Sequence, residues 1–399
     1  MNKPTILMIP SWWPTKENPI NGTFFKEQMQ FLLSDFDFII YHITSKTTLF
    51  KNGVSLIKKE ECCGQPEYWF CQNFSIGFKI INKISKLLTK NDNLFNNKFK
   101  KDLSKSLTLI SEKFDLIYGV TAQDEAIKCS ALSKLTGKPF VLGEHAPFPW
   151  PGQIISPEKK VAIEEASQMF IISKDKIRQI MLQNIKLKNM KYVGNLIDEN
   201  KFTLTPIKHQ KKTFLIVAAH SFYKNYDMFI ETMNKLTQKT KKDFRVIVAG
   251  YNSNKGYSEN AKLLEDKLHN SLFADKIELV ESVPRSEINE LYNRADAFIM
   301  TSIQEGQPVS AMEAACCGLP VFSTRCGGVE DYITEENGRI TDITDSDLLS
   351  DYLKDFLAGK IKFDSNVIRN IAVEKFGCKA FRKNMVDGFN NVLKEMNNE

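Results

Sequence analysis

The chain has 399 residues, 42% of them hydrophobic and 26% charged, with a formal net charge of +6, which marks a folded protein and excludes disordered, collagen-like and disulfide-scaffold chains. At roughly 150 residues per domain the length predicts two or three domains, and no stretch approaches the roughly 20 apolar residues of a membrane helix. The eight cysteines lack Cys-x-x-Cys spacing and read as free thiols of a reducing compartment, and so modest a positive charge, without a zinc-finger, RRM or basic-zipper pattern, marks no nucleic-acid binder.

Apolar runs of strand type alternate with helical patterns, which predicts an α/β protein with parallel sheets covered by helices. The first strand, Thr5 to Ile9, breaks at Pro10 and is too short for a signal peptide, so the protein is expected in the cytoplasm. A loop from Pro10 to Phe25 follows and precedes a helix. Loops at the carboxyl ends of parallel strands are where open α/β sheets bind ligands. Trp12 and Trp13 offer flat apolar faces for stacking, as against a plain packing role, and Asn21-Gly22 opens the helix.

Further strands are expected at Phe36 to Ile43, Leu116 to Val120, Phe140 to Gly143, Met169 to Ile172 and Lys191 to Val193. Between Lys79 and Lys105 stand eight lysines against Asp92 and Asp102. There Phe78, Ile81, Ile84, Leu87 and Leu88 recur at helical spacing, with lysines elsewhere on the wheel. Segment 78–105 thus reads either as a core-packed helix with a solvated lysine face or as an interfacial element in peripheral contact with an anionic membrane. The Asn- and Lys-rich patch Asn91 to Lys101 reads as a surface loop. His145 closes the strand Phe140 to Gly143 and is a candidate for chemistry as well as for structural hydrogen bonding.

The pattern breaks between Asp198 and Lys212, which divides the chain into domains 1–200 and 201–377, with a terminal helix from Cys378 to Met396. In the second half, strands are expected at Thr213 to Ala218, Arg245 to Ala249, Ile277 to Val280, Ala297 to Met300 and Pro320 to Ser323. Lys224 lies between the first of these and an amphipathic helix, and Gly250 ends the second. After Ala297 to Met300 come Glu305, Gly306, Gln307, Pro308, Val309 and Ser310, then Glu313, eight residues beyond Glu305. The glutamates bracket a helix N-terminus, whose unpaired N–H groups and positive dipole favour an anion such as phosphate. Gly306 lets the backbone approach a ligand, and Pro308 suits a first helical turn.

The order Ser302, Glu305-Gly306, Glu313, Gly318-Leu319-Pro320-Val321 and Gly327-Gly328-Val329-Glu330-Asp331 resembles the donor-binding signature of retaining glycosyltransferases of the GT-B fold, the group-1 or GT4 family. The resemblance implies two Rossmann-like domains with parallel sheets facing across a cleft and a terminal helix that packs back on the first domain. It implies that Glu305 holds the hydroxyls of a nucleotide-sugar, that Glu313 holds the ribose, and that amides from Gly306 to Ser310 meet the diphosphate. Gln307 departs from the family's usual phenylalanine or leucine.

Lys224 falls on a phosphate-clamping lysine, but Ala219 stands where the family has an arginine, leaving His220 or Arg325 as substitutes. By the same resemblance Gly250 lies near the nucleobase, His145 reaches the transferring sugar, and the Trp12, Trp13, Asn21 and Gly22 loop lines the acceptor side. Asn195 and Asp198 mark the domain boundary. No metal or other cofactor is expected: Asp35-Phe36-Asp37 precedes its strand, and Asp345-Ser346-Asp347 opens a helix.

The expected function is transfer of a sugar from a nucleoside-diphosphate sugar, with retention, to a glycan or lipid-linked acceptor, in bacterial surface polysaccharide synthesis and possible contact with the inner membrane face. Catalysis falls to Glu305, Lys224 and His145. The alternatives are a nucleotide-sugar hydrolase of the same fold, or a catalytically silent sugar-nucleotide binding module in a polysaccharide assembly complex.

Overall fold

The computed structural model describes residues 3–18, 21–89, 93–150, 152–207, 210–252 and 258–398; Lys90 to Asp92 of the lysine-rich segment and Lys208 and His209 of the linker lie outside them. The chain forms two compact units, one of Met1–Ile171, Gln179–Val193 and Arg382–Glu399, the other of Ile172–Arg178 and Gly194–Phe381.

In the first unit, β1 (Thr5–Pro10), β2 (Asp37–Thr48), β3 (Gly53–Cys62), β4 (Gln65–Ser75), β5 (Leu116–Val120), β6 (Phe140–Glu144), β7 (Gln168–Ile171) and β8 (Met190–Tyr192) form one sheet in the order β3-β4-β2-β1-β5-β6-β7-β8. Every pairing is parallel except β3 with β4, where the register shifts between Leu56 and Lys58. An all-parallel sheet is what the sequence suggests. The difference arises because β3 is an edge strand whose Lys58-Lys59-Glu60-Glu61 run is exposed, and charge on an edge discourages pairing with another chain while hiding the strand pattern.

Helix Asn93–Leu107 replaces the surface loop expected over Asn91 to Lys101, of which the first two residues lie outside the described set. Phe95, Phe99 and Leu103 repeat every four residues. Leu103 is fully buried, and Phe95 stacks on Phe74 at 5.2 Å. Packing of one face thus outweighs the poor helix propensity of the asparagines. The preceding helix, Ile76–Thr89, is not packed as a core helix would be. Ile80, Ile81, Ile84, Leu87 and Leu88 are 52–80% exposed, while Phe78, Asn82 and Ser85 are half-buried.

The terminal helix Cys378–Asn398 joins the first unit from Arg382 onward. Phe389 packs edge-on against Phe36, Tyr118 and Phe170, at 5.3, 5.2 and 5.0 Å between ring centres. Arg382 grips Asp35 with both Nε and Nη2, at 2.7 and 2.9 Å.

The second unit has β9 (Lys212–Val217), β10 (Phe244–Ala249), β11 (Ile277–Val280), β12 (Ala297–Met300), β13 (Val321–Thr324) and β14 (Gly338–Thr341), all parallel, in the order β11-β10-β9-β12-β13-β14. The last is a strand of only four residues, two of them half-buried, too short to show a period in sequence. Alternate residues of β9 feed opposite cores: Phe214 and Ile216 pack with Phe229, Met233 and Leu236, while Leu215 packs with Ala311, Met312 and Ala315. The helices that follow β9 and β12 therefore cover opposite faces. The two strands are neighbours, so a crevice opens at their carboxyl ends, the position where such sheets bind ligands.

Candidate functional site

The loops after β9 and β12 meet at this switch point. Phe222–Lys224 forms one 3-10 turn, and Asn225, at φ 48°, caps helix Tyr226–Lys239 by accepting from the Met228 amide at 3.3 Å. That turn is tied to the neighbouring loop through backbone: Thr301 Oγ1 donates to the Lys224 and Asn225 carbonyls, each at 3.1 Å, and the Ile303 amide donates to Tyr223 O at 2.7 Å. The ties place Lys224 Nζ 2.5 Å from Glu305 Oε1, with side chains 29% and 15% exposed. The two residues assigned to phosphate and sugar are thus paired with each other.

The Glu305-Gly306 turn is braced from β13. The Glu305 amide donates to Cys326 O at 2.7 Å, and Thr324 Oγ1 donates to Ser302 O at 2.6 Å. Gly328, at φ 75°, lies so close that a Cβ there would meet the Gly306 carbonyl and stand 2.8 Å from Gln307 Cα. Only glycine fits both that conformation and that contact. Helix Val309–Cys316 begins after Pro308 with no side-chain cap, so the first amides, at Val309 and Ser310, face outward from a half-buried end and suit an anion.

Gln307 and Glu313 are each held by side chains or backbone of neighbouring segments. Gln307 is buried; its Oε1 accepts from the Asn195 amide at 2.6 Å, and its carbonyl accepts from Asn195 Nδ2 at 3.1 Å. Gln307 and Asn195 thus fix the loop, which gives a structural reason for a polar residue here. Glu313 is buried beneath the half-exposed Arg285, which pairs with Oε1, and the Tyr292 hydroxyl donates to Oε2 at 2.9 Å. Burial, reinforced by the glutamate, holds the Tyr292 phenol well above its usual range, so it stays a donor. Sequence reasoning missed Arg285 and Tyr292, which lie in a stretch without a motif.

Gly250, at φ 75°, ends β10 with its amide donating to Val280 O at 2.8 Å. Burial, then the charge of Lys267, lowers the His220 pKa, leaving the imidazole neutral at pH 7. Its ring lies 5.6 Å from that of Tyr226. Arg325 pairs with Asp342 at 3.5 Å. Neither supplies a second cation beside Lys224 in this arrangement. A cavity of about 620 Å³ among Lys242, Arg245 and Lys276 lies at the opposite, amino ends of the strands, away from the edge that binds ligands in such sheets.

The sequence-selected residues of the first unit gather at the carboxyl end of β1. Gly22, at φ 70°, lies against the Trp12 carbonyl, and a Cβ there would stand 2.7 Å from Trp13 N. Trp12 stacks on Phe25 at 5.8 Å, and Phe25 meets His145 edge-on at 5.0 Å. Trp13 is buried against His42 at 5.8 Å, whereas Asn21 is exposed and lines a cavity of about 230 Å³ with Ser11, Thr15 and Lys128. Glu144, fully buried and unremarked in sequence, accepts from the amides of Gln123 and Ala146 at 3.1 and 2.8 Å, which fixes the turn carrying His145.

Among the described residues one cluster has metal-binding proximity: Asp198, Glu199 and Cys378. Glu199 accepts from the Cys378 amide at 2.8 Å, and burial pushes the Cys378 thiol up to about 12, so it is a poor thiolate ligand. Asp345 caps its helix through the Leu348 amide at 2.9 Å.

Residues 198–372 match the family model described as glycosyl transferases group 1. The gpi3 subunit of phosphatidylinositol N-acetylglucosaminyltransferase from Schizosaccharomyces pombe is 26% identical over 183 residues, 45% of this chain and 39% of that protein. The match therefore spans less than half the length of that relative. Two solved structures share the fold at low identity. A glycosyltransferase from Rickettsia africae superposes with a TM-score of 0.69 at 16% identity, over 99% of this chain and 100% of that one. HepE of Anabaena, in complex with UDP, gives 0.65 at 13%, over 97% and 100%. The chain has the GT-B fold. Among the described residues no helix is long and apolar enough to cross a membrane.

Proposed function

We propose, for a chain whose residues 198–372 match the model of the group 1 glycosyl transferases, that it moves a sugar from a nucleoside-diphosphate sugar to a glycan or lipid-linked acceptor with retention at the anomeric carbon. The observation that carries this reading is the meeting of Lys224, Glu305 and an uncapped helix end at one switch point. Breaking the glycosidic bond puts charge on the departing diphosphate. A preorganised ammonium and outward amides stabilise that charge more than they stabilise the bound donor, which is the condition for catalysis.

The ion pair between Lys224 and Glu305 is a stand-in for the donor complex. Diphosphate oxygens take the ammonium, sugar hydroxyls take the carboxylate, and each group keeps a charge-assisted partner. Glu305 orients the sugar, Glu313 receives the ribose with its remaining lone pairs, and Gly250 leaves room beside the base. The acceptor hydroxyl approaches on the face the diphosphate leaves and passes its proton to the departing oxygen. His145 is the first unit's candidate for the reaction.

Melting of the protein with uridine, guanosine and adenosine diphosphate sugars checks the donor. One nucleotide is expected to raise the transition by the mass-action amount, about 2.7 kcal/mol at a hundredfold excess over Kd. No shift with any of them contradicts the reading. Incubation with that donor alone then separates transfer from hydrolysis, since rapid stoichiometric sugar release marks a hydrolase.

A further inference from the structure

We propose that the first unit binds the hydrocarbon chain of a polar-headed lipid acceptor in a groove that runs from the β1 loop to helix Ile76–Thr89, which itself rests on an anionic lipid surface. The inference rests on the transferase reading and names its acceptor class.

Three cavities of the unit adjoin one another. The first, about 230 Å³, is the polar one beside Ser11 and Asn21; it shares Lys128 with a second of about 390 Å³. The second shares Phe99 and Ile127 with a third, also about 390 Å³. Phe74 and Phe95 line the second and Val161 the third, so apolar side chains enter the lining beyond Lys128, beside Asp124 and Glu158. Lys128 at the junction is paired with Glu125, and with those two acids in the second cavity the groove carries no surplus of positive charge; a polar end and an increasingly apolar run match an amphiphile with a polar head. The second and third cavities fall in the roughly 300–1,000 Å³ range of ligand pockets.

The groove leads to the exposed helix. Phe74, which lines the groove, stacks on Phe78 of that helix at 5.7 Å and on Phe95 at 5.2 Å. Lys98 Nζ lies over both Phe74 and Phe78, at 5.1 and 5.6 Å. At 100° per residue, Ile76, Ile80, Ile81, Ile84, Leu87 and Leu88 fill one arc of the helix, and all are exposed. Lys79, Lys83 and Lys86 flank that arc, and the helix holds no acidic residue. A soluble helix turns its apolar arc inward; this one turns it to solvent. With lysines beside it, the arc has the charge and polarity that an anionic leaflet complements.

Two probes test the proposal separately: dansyl-labelled undecyl phosphate, kept below its micelle concentration, for the groove, and phosphatidylcholine vesicles containing about one-third phosphatidylglycerol for the helix. Ile127→Trp, which fills the groove, is expected to weaken probe binding by at least about tenfold, the worth of roughly two buried methylenes, while vesicle sedimentation and the donor-induced melting shift stay unchanged. Val161→Trp, at an exposed position, serves if Ile127→Trp fails to fold. Leu87→Glu with Leu88→Glu is expected to abolish vesicle binding and spare probe binding.

Probe binding that is unaffected by either tryptophan overturns the groove. Vesicle binding that survives the glutamates overturns the helix contact, as does a dimer of the wild-type chain that the glutamates dissolve. Failure of the donor-induced shift instead counts against the transferase reading alone.

Discussion

Replacing Lys224 with alanine is expected to lower kcat about 10²- to 10³-fold, the usual cost of removing one preorganised donor from developing charge. The size follows from what else is present. His220 is held neutral by burial and Arg325 is engaged by Asp342, so the helix-end amides alone would face the diphosphate. The Glu305 carboxylate would also stand unneutralised beside it. Glu305→Gln removes that repulsion, so the double variant Lys224→Ala with Glu305→Gln should lose less than the product of the single losses, as groups acting together do. Steady-state kinetics on the four proteins checks this; full turnover by Lys224→Ala, or strictly multiplicative losses, contradicts it.

Glu313→Ala is expected to reduce both stability and donor affinity. Arg285, with its side chain 48% exposed, can turn to water, so its loss of a partner costs little. Tyr292 has no such exit: it is fully buried, and Glu313 is the acceptor of its hydroxyl. An orphaned buried donor costs about 1–3 kcal/mol, which for a unit of this size corresponds to a fall in Tm on the order of 5 °C. Glu313→Gln keeps an acceptor for Tyr292 and should recover most of the stability while still binding nucleotide about tenfold more weakly, the loss of one charge-assisted bond. Calorimetric melting and nucleotide titration of both variants separate the roles. A Gln variant as unstable as the Ala variant would show that the charge, not the hydrogen bond, holds the helix.

The parts of this molecule legible in sequence are those where one chemical need dominates a short stretch. Ala297–Met300 is a buried strand on both faces and reads as an unbroken apolar run. Gly22 and Gly328 are needed for a positive φ and for close backbone approach, and each stands in a motif. The terminal helix shows its buried stripe of Phe381, Met385, Phe389 and Val392 plainly.

What stayed hidden depends on partners distant in the chain. Four of the ten residues of β3 are charged, and it gains its place by pairing with β4. Helix Asn93–Leu107 is a poor helix by composition and is held by Phe74 and the sheet. Arg285 and Tyr292 matter because they close on a glutamate 28 and 21 residues away. Of the candidate site, Glu305, Gly306 and Lys224 stand out through resemblance to a family signature, whereas their mutual pairing needs the order of β9 beside β12. Nor does the spacing show that helix Ile76–Thr89 faces its apolar arc outward, since a packed helix carries the same period.

The central claim is that a diphosphate sits over the turn from Gly306 to Ser310, held by Lys224. A crystal structure of the protein with its stabilising nucleoside diphosphate tests this most directly. The account predicts that Lys224 Nζ leaves Glu305 and lies about 2.8 Å from a phosphate oxygen, with the Val309 and Ser310 amides donating to the same group. A diphosphate bound elsewhere, or a Lys224–Glu305 pair still closed beneath it, contradicts the account.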